Sequence, residues 1–138
     1  MYLLDTNVLS ELRRFKPHGA VVAWLESVPD ASLRVSAVTL REIQAGIEKL
    51  RGRDAVKARE IEFWADKVEE TFAVIPVDAR IFRLHARWMH ERTENAYEDA
   101  LIAATAHVHG LTVATRNTKD FAGYDVSVFD PFGFDRRP

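Results

Sequence analysis

The chain has 138 residues, a length that fits one compact domain with one hydrophobic core. Apolar residues make up 47% and charged residues 29%, as in an ordinary globular protein, and the net charge of −2 argues against a surface that binds nucleic acid over its whole extent. The absence of cysteine excludes disulfides, zinc–thiolate sites and cysteine nucleophiles.

The N-terminal segment MYLLDTNVLSEL has no basic region, long apolar run or small-residue cleavage site, so it does not resemble a signal peptide. No segment approaches the roughly 20 apolar residues that a membrane-spanning helix needs. We therefore expect a cytoplasmic protein that does not associate with a membrane. No repeat or linker divides the chain, and we expect a single domain over residues 1–138, with a mobile C-terminal tail at about 132–138 that includes Arg136 and Arg137.

Short apolar runs alternate with amphipathic stretches along the chain. Four runs predict strands covered on both faces, at residues 2–4, 33–35, 74–77 and 111–114, and a weaker run predicts an edge strand at 126–129. The stretches between them predict helices at 8–14, 20–28, 40–50, 54–72, 79–92 and 97–109, the last ended by Gly110. This alternation predicts an α/β sandwich with a central, mostly parallel sheet of four to five strands flanked by helices.

A polar residue follows each of the four stronger strands: Asp5, Ser36, Asp78 and Thr115. Sites in open α/β sheets form beyond the carboxyl ends of the strands, so we expect the chemistry at this edge. The alternative for Asp5 is that it only caps the helix that follows. Asn7 can provide that cap instead, and the strand-end position of Asp5 favours a functional role.

Glu42 fits two interpretations. Thr39 and Glu42 have the spacing of a capping box, and this motif by itself favours a structural role at the start of the helix. Gly46, one turn further on, costs the helix roughly 1 kcal/mol relative to Ala. The close approach of another chain segment or of a ligand on this face explains the glycine and supports a functional Glu42.

Asp99 is harder to explain as a structural residue. On its helix it shares a face with Ile102, Ala103 and Ala106, which we expect to pack against the sheet. The helix dipole stabilises a carboxylate near an N-terminus, but Glu98 provides that charge from the exposed side. An ionised group turned toward a core has to be paired or to bind a metal ion.

Asp120 lies in the loop that follows the strand at 111–114, where Asp is common and therefore uninformative by itself. Asn117 and Thr115 are neutral oxygen donors in the same loop.

If Asp5, Glu42, Asp99 and Asp120 meet at one place, each pair of carboxylates about 4 Å apart repels by roughly 4 kcal/mol at an effective dielectric near 20. No lysine or arginine lies within four positions of Asp5 or Asp99. A divalent cation offsets this repulsion, and oxygen ligands without Cys or paired His favour Mg²⁺ or Mn²⁺ over zinc.

Four segments, in order, resemble PIN-domain ribonucleases, and most of all the VapC toxins of the FitB-like branch. They are MYLLDTNVLSEL, VSAVTLREIQAGI, EDALIAATAHVHGLTVATRN and TRNTKDF, and the resemblance extends from Tyr2 to about Pro131. It implies a PIN-like three-layer sandwich and an endoribonuclease dependent on Mg²⁺ or Mn²⁺, the toxin of a type II VapBC toxin–antitoxin module. It also implies a cognate VapB/FitA-like antitoxin, whose tail occupies the active-site groove, and a homodimer.

The resemblance also assigns roles to individual residues. By motif position, Asp5, Glu42 and Asp99 match the family's three principal acids, which bind the metal and act in catalysis. The fourth acidic position is open, because the family's loop sometimes carries its acid where Asn117 stands; Asp120 is then the substitute, as a metal-binding and catalytic residue. The accessory polar residues are Thr6, Asn7, Thr115 and Asn117.

Two basic segments are candidates for contacts with RNA phosphates. Arg116 and Lys119 lie closer to the expected site, where they contact phosphates or stabilise charge in the transition state. Arg13 and Arg14, just after the first helix, either contact phosphates or form a solvated loop, and the sequence does not separate these interpretations. The three tryptophans occupy helical positions, which favours packing over base stacking.

Two other functions fit parts of the sequence. One is a catalytically silent PIN-like module that only binds proteins, which has no electrostatic reason to keep a cluster of repelling acids. The other is a phosphotransferase or receiver-like domain, which needs paired acids at the end of the first strand. Here Asp5 is followed by Thr6 and Asn7, so this alternative is disfavoured.

Overall fold

A parallel five-stranded sheet lies at the centre of the computed structural model, which describes residues 1–136; Arg137 and Pro138, part of the predicted tail, lie outside the described residues. The strands are β1 (Tyr2–Leu4), β2 (Leu33–Ser36), β3 (Ala73–Ile75), β4 (Thr112–Ala114) and β5 (Val128–Phe129). The helices are α1 (Thr6–Leu9), α2 (Gly19–Ser27), α3 (Ala37–Arg51), α4 (Ala55–Thr71), α5 (Ala79–Met89) and α6 (Tyr97–His109). The strand order is β3-β2-β1-β4-β5, and every pair of neighbours is parallel.

Helices cover both faces of the sheet. Successive residues of a strand point to opposite faces, so each strand contributes side chains to both cores. In β1, Leu3 packs into the core shared with α5 and α6, whereas Leu4 packs into the core shared with α2, α3 and α4. The predicted α/β fold with a parallel central sheet is therefore confirmed. Among residues 1–136, no helix has the length and apolarity needed to cross a membrane.

Helix α6 lies against the sheet through a face of small side chains. Ala100, Ala103, Ala104 and Ala106 are fully buried. The helix ends at Gly110, whose φ of 65° is in the left-handed region that terminates helices without a Cβ penalty. Because α6 leads directly into β4 and runs back along the sheet, its first turn lies at the carboxyl edge of the strands.

Helix α3 begins three residues earlier than predicted, and the predicted capping box is wrong. The N-cap is Ser36, whose Oγ accepts a hydrogen bond from the Val38 backbone N–H at 3.1 Å. Thr39 lies inside the helix, fully buried, and its Oγ1 has no hydrogen-bond partner. Glu42 therefore does not take part in capping α3, and the capping-box interpretation of this residue is wrong.

Other element ends differ from the prediction by a few residues. Helix α1 begins at Thr6 rather than at residue 8 and is followed by a 3₁₀ turn, Ser10–Arg13. Helix α5 ends at Met89 rather than at residue 92, just before Glu91 adopts a φ of 73°. Of the polar residues that follow strands, Asp5, Ser36 and Asp78 each cap the helix that follows, and Asp5 and Thr115 are also hydrogen-bonded to each other.

Residues 132–136 contact the domain, in the region where the sequence predicts a mobile tail. Phe132 and Phe134 pack against the core beneath α2, α3 and α4. Arg136 Nη2 lies 2.7 Å from Glu26 Oε2. These contacts attach the segment to the sandwich; the single-domain limits of 1–138 and the mobility of the chain end stay predictions.

Candidate active site

Asp5 is the most buried acid at the carboxyl edge, with 6% of its surface exposed. The Thr6 backbone N–H donates to Asp5 Oδ1 at 2.9 Å, so of the two possible caps Asp5 is the residue that caps α1. Thr115 Oγ1 donates to Asp5 Oδ2 at 2.9 Å and Asn7 Nδ2 donates to the same oxygen at 3.3 Å. Burial raises the pKa of Asp5, and these hydrogen bonds only partly offset the rise.

Thr115 and Asn7 join the loop after β4 to the end of β1. The Thr115 hydroxyl donates to Asp5 and accepts from the Asn117 backbone N–H at 3.0 Å and from Asn7 Nδ2 at 3.2 Å. Asn7 Oδ1 accepts from the Arg116 backbone N–H at 3.0 Å. The accessory residues predicted from the sequence therefore form one hydrogen-bonded network around Asp5, and this network fixes the direction of its carboxylate.

Glu42 approaches this edge from α3. Its Oε2 accepts a hydrogen bond from Thr6 Oγ1 at 3.4 Å, and its carboxyl group lies against that of Glu98 on α6. Burial, followed by the charges of Glu98 and Asp5, raises the pKa of Glu42 to about 7.

Asp99 approaches from the first turn of α6 and is half-buried. Burial raises the pKa of its carboxyl group to about 6, and the charges of Asp5, Asp120 and Glu98 contribute to the rise. Asp99 thus lies among acids from three other segments of the chain. The inward face predicted for this residue brings it to the edge where Asp5 lies.

Electrostatic coupling connects five acids at this edge, which we call the acidic cluster: Asp5, Glu42, Glu98, Asp99 and Asp120. Asp120 is exposed and raises the pKa of both Asp5 and Asp99 by repulsion. The Asn117 backbone N–H donates to Thr115 Oγ1 at 3.0 Å, and the Asn117 carbonyl accepts from the Asp120 N–H at 3.0 Å. Glu98 was predicted to serve only the helix dipole, because its sequence neighbours do not reveal that α3 brings Glu42 against it.

The acidic cluster has the donor chemistry of a site for a hard divalent cation. All of its possible ligand atoms are carboxylate oxygens, the type that Mg²⁺ and Mn²⁺ prefer. No ion pair links Asp5, Glu42, Asp99 or Asp120 to a basic side chain in the part of the chain described. Within residues 1–136, no group of three acidic or histidine side chains is arranged so that together they could hold a metal ion. Mg²⁺ retains several water ligands, so a partial set of carboxylates suits it.

The four cations predicted to contact phosphates lie in different environments. The Arg116 guanidinium stacks over the ring of Phe132, with 4.5 Å between the guanidinium carbon and the ring centroid. Arg14 pairs with Glu11 at 3.4 Å, which favours a structural role for this arginine. Lys119 is exposed, and Arg13 lines a groove that begins beside Glu42.

Removal of the Asp99 charge is expected to stabilise the metal-free protein at neutral pH. Its pKa is about 6 in the folded protein against an ordinary 3.8, so ionisation disfavours the folded state. This penalty is absent below pH 3.8, grows as the pH rises and is complete above about pH 6. Because Asp99 is half exposed, solvent screening reduces the effect, and we expect Asp99→Asn to raise the free energy of unfolding by about 1 kcal/mol at about pH 7.

Urea denaturation in the presence of chelator, at about pH 4 and about pH 7, measures this difference. The gain should be much smaller at the lower pH. A gain that is equal at both pH values would show that the repulsion assigned to Asp99 is not its cause.

A family model described as PIN domain matches residues 2–126, most of the chain. The chain belongs to the PIN-domain family. This PIN domain is 37% identical to Toxin FitB of Neisseria gonorrhoeae, over 96% of this chain and 99% of the toxin. It is 32% identical to VapC ribonuclease Y4jK of Sinorhizobium fredii, over 96% of this chain and 98% of that protein.

Solved structures agree with this assignment. The crystal structure of FitAcB from Neisseria gonorrhoeae is similar with a TM-score of 0.84 and 35% identity, covering 97% of this PIN domain and all of that chain. A toxin–antitoxin complex from Klebsiella pneumoniae is similar with a TM-score of 0.71 and 30% identity, covering 95% and 98% of the two chains. The resemblance predicted from the four sequence segments and the three-layer sandwich are therefore confirmed.

Proposed function

We propose that this PIN domain is a metal-dependent endoribonuclease that hydrolyses RNA phosphodiester bonds, and the toxin of a VapBC-type toxin–antitoxin module. The observation that carries the proposal is the acidic cluster, which gathers repelling carboxyl groups at the carboxyl edge of the sheet without a basic partner for Asp5, Glu42 or Asp99 among residues 1–136. The names of relatives support it, since Toxin FitB and VapC ribonuclease Y4jK match over nearly their whole lengths.

We assign the metal to Mg²⁺ or Mn²⁺, held by Asp5 and Asp99 with Glu42 and Asp120. Such an ion lowers the pKa of a bound water and stabilises charge on a phosphodiester under attack. The chain itself orients the ligands. The Thr6 N–H and the Thr115 hydroxyl fix the two oxygens of Asp5. Asn7 links the segment after β1, which carries Asp5, to the loop after β4, which carries Asp120. Asp120 is our choice for the fourth acidic position because its charge acts on both Asp5 and Asp99.

We further propose that a VapB/FitA-like antitoxin inhibits the enzyme, and that the pair acts on RNA in the cytoplasm. Solved relatives support the partner, because they include FitAcB and a complex named as toxin–antitoxin.

We also propose a homodimer formed through an apolar groove between α3, α5 and α6. Phe82 is 46% exposed and Tyr97 is 48% exposed, and both line this groove with Val77 and Leu101. Large exposed apolar side chains in one patch are typical of a protein interface. We expect Phe82→Asp to convert the dimer to a monomer, because it places a charge in the centre of the contact.

Light scattering after gel filtration measures the mass of each variant. Phe63→Asp is the control, since Phe63 is 65% exposed on α4, outside the groove. A wild-type protein that is monomeric, or a Phe82→Asp variant that stays dimeric, would contradict this interface.

The enzyme is tested by incubating antitoxin-free protein with a pool of transfer, ribosomal and messenger RNA. Separate reactions contain Mg²⁺, Mn²⁺ or a chelator. We expect discrete cuts in both metals and none in the chelator. The absence of cuts in every reaction, together with the absence of Mn²⁺ binding in calorimetry, would favour the alternative of a catalytically silent protein-binding module.

A further inference from the structure

A groove of about 360 Å³ begins at Glu42 and Thr6 and extends away from the acidic cluster. It lies between the N-terminal α1 segment and the α3–α4 hairpin. Leu50, Ile61 and Trp64 form its apolar wall. Glu42 belongs to the acidic cluster and accepts a hydrogen bond from Thr6. A ligand in this groove therefore lies next to the acidic cluster.

Gly46 lies at an open part of the groove. It lines the groove on α3, one turn after Glu42, and a Cβ placed on it meets no atom within 4 Å. The sequence predicted that a chain segment or a ligand approaches this glycine closely, and no chain segment of residues 1–136 does so. The expected close approach of a chain segment is therefore wrong, and the space beside Gly46 is open to a ligand.

The rim of the groove is basic. Arg13 and Arg53 line it, and neither forms an ion pair within the described part of the chain. A second groove of about 200 Å³ continues along α4, lined by Arg13 and Trp64 and by the ion pair of Lys57 with Glu60, 3.7 Å apart. Unpaired cations beside an acidic site suit an anionic ligand that passes from one to the other.

Trp64 is the aromatic residue shared by both grooves. Trp64 is partly exposed and lines the grooves, whereas Trp24 is 2% exposed in the core. Trp88 packs at an angle against Tyr124, with 5.3 Å between the ring centroids. The sequence favoured packing for all three tryptophans, and for Trp64 the structure leaves an indole surface open to the groove. Aromatic faces combined with basic grooves bind single-stranded nucleic acid by stacking and by phosphate contacts.

We propose that this groove binds the nucleotide adjacent to the scissile phosphate of a single-stranded RNA, with its base against Trp64 and the flanking phosphates at Arg13 and Arg53. The inference rests on the proposed function and adds a substrate subsite to it. The groove volume falls in the range of about 300–1,000 Å³ of small-ligand sites, which suits one nucleotide. The unpaired arginines favour RNA over an apolar peptide helix, which needs no cations at the rim.

Blocking the groove tests the proposal. Gly46→Leu places a large side chain in the groove at a position where a Cβ meets no atom within 4 Å. Ala45→Leu is the matched control, because it adds the same side chain at an exposed position that does not line the groove. We expect Gly46→Leu to raise the KM for RNA by at least about 10-fold with a much smaller change in kcat, and Ala45→Leu to leave both within about twofold. Trp64→Leu should raise KM similarly, and Trp64→Phe should restore most of the affinity.

Binding is measured separately from cleavage in an Asp99→Asn background, with chelator, using mixed-sequence RNA hexanucleotides as the probe. Quenching of tryptophan fluorescence should be lost in Trp64→Phe, and hexanucleotide binding should be lost in Gly46→Leu. If RNA binds but the unblocked enzyme never cleaves it, the subsite stands and the proposed activity fails. If Gly46→Leu binds and cleaves RNA as Ala45→Leu does, the subsite is overturned. If it loses only inhibition by the antitoxin, the groove belongs to the protein partner and the subsite is equally overturned.

Discussion

Replacing Asp99 with Asn is expected to reduce the rate of RNA cleavage by about 10³-fold while the protein stays folded. The carboxylate lies among Asp5, Asp120 and Glu98, and its pKa of about 6 reflects burial and their repulsion. A divalent cation at this point needs the negative charge of Asp99, whereas the fold does not. Asn keeps the shape of the side chain and removes only the charge, so the loss should appear in cleavage and not in folding.

Single-turnover cleavage of one mapped RNA site in Mg²⁺ measures this loss, and circular dichroism verifies the fold. Asp66→Asn is the matched control, because it removes the same charge from an exposed residue on α4. An Asp99→Asn variant that cleaves within about tenfold of the wild type would remove Asp99 from the catalytic site.

Thr115→Val is expected to lower the free energy of unfolding by about 2 kcal/mol and the cleavage rate by about 10–100-fold. Thr115 is fully buried, and its hydroxyl serves Asp5, Asn7 and the Asn117 backbone N–H at once. Valine has nearly the same shape but leaves the Asp5 carboxylate with one hydrogen bond fewer in a buried position. The carboxylate then loses both solvation and direction.

Thr115→Ser retains the hydroxyl and serves as the control. It should keep most of the activity and lose only the stability that corresponds to a buried methyl group, about 1 kcal/mol. Urea denaturation and the single-turnover assay separate the two effects. If Val and Ser behave alike in cleavage, the hydroxyl does not position Asp5, and its role is packing alone.

Elements with strong apolar patterns could be predicted from the sequence with accurate ends. The strand at Tyr2–Leu4 and the helix at Tyr97–His109 were predicted with the ends that the structure shows. Burial on both faces of β1 and the small, continuous inner face of α6 leave few competing interpretations. Element ends that depend on a single side chain were less predictable. Ser36, and not Thr39, caps α3, because β2 ends directly at Ser36, a residue whose side chain can cap a helix.

The candidate site was predictable where a residue's position in its own element determines its location. Asp5 follows a strand, and Asp99 lies on the inner face of a helix that returns to the same edge, so their meeting follows from the parallel topology. The contact of Glu42 with Glu98 depends on the lateral packing of α3 against α6, which no local pattern encodes. For the same reason, the sequence did not reveal that Trp64 opens onto a groove beside Glu42.

Calorimetric titration of Mn²⁺ into the wild-type protein and the Asp99→Asn variant tests the central claim most directly. The account predicts that the wild type binds the ion and that the variant loses this binding together with RNA cleavage. A wild-type protein that cleaves RNA but binds no Mn²⁺, or a variant that binds it as tightly as the wild type, would contradict the claim that the acidic cluster holds the catalytic metal.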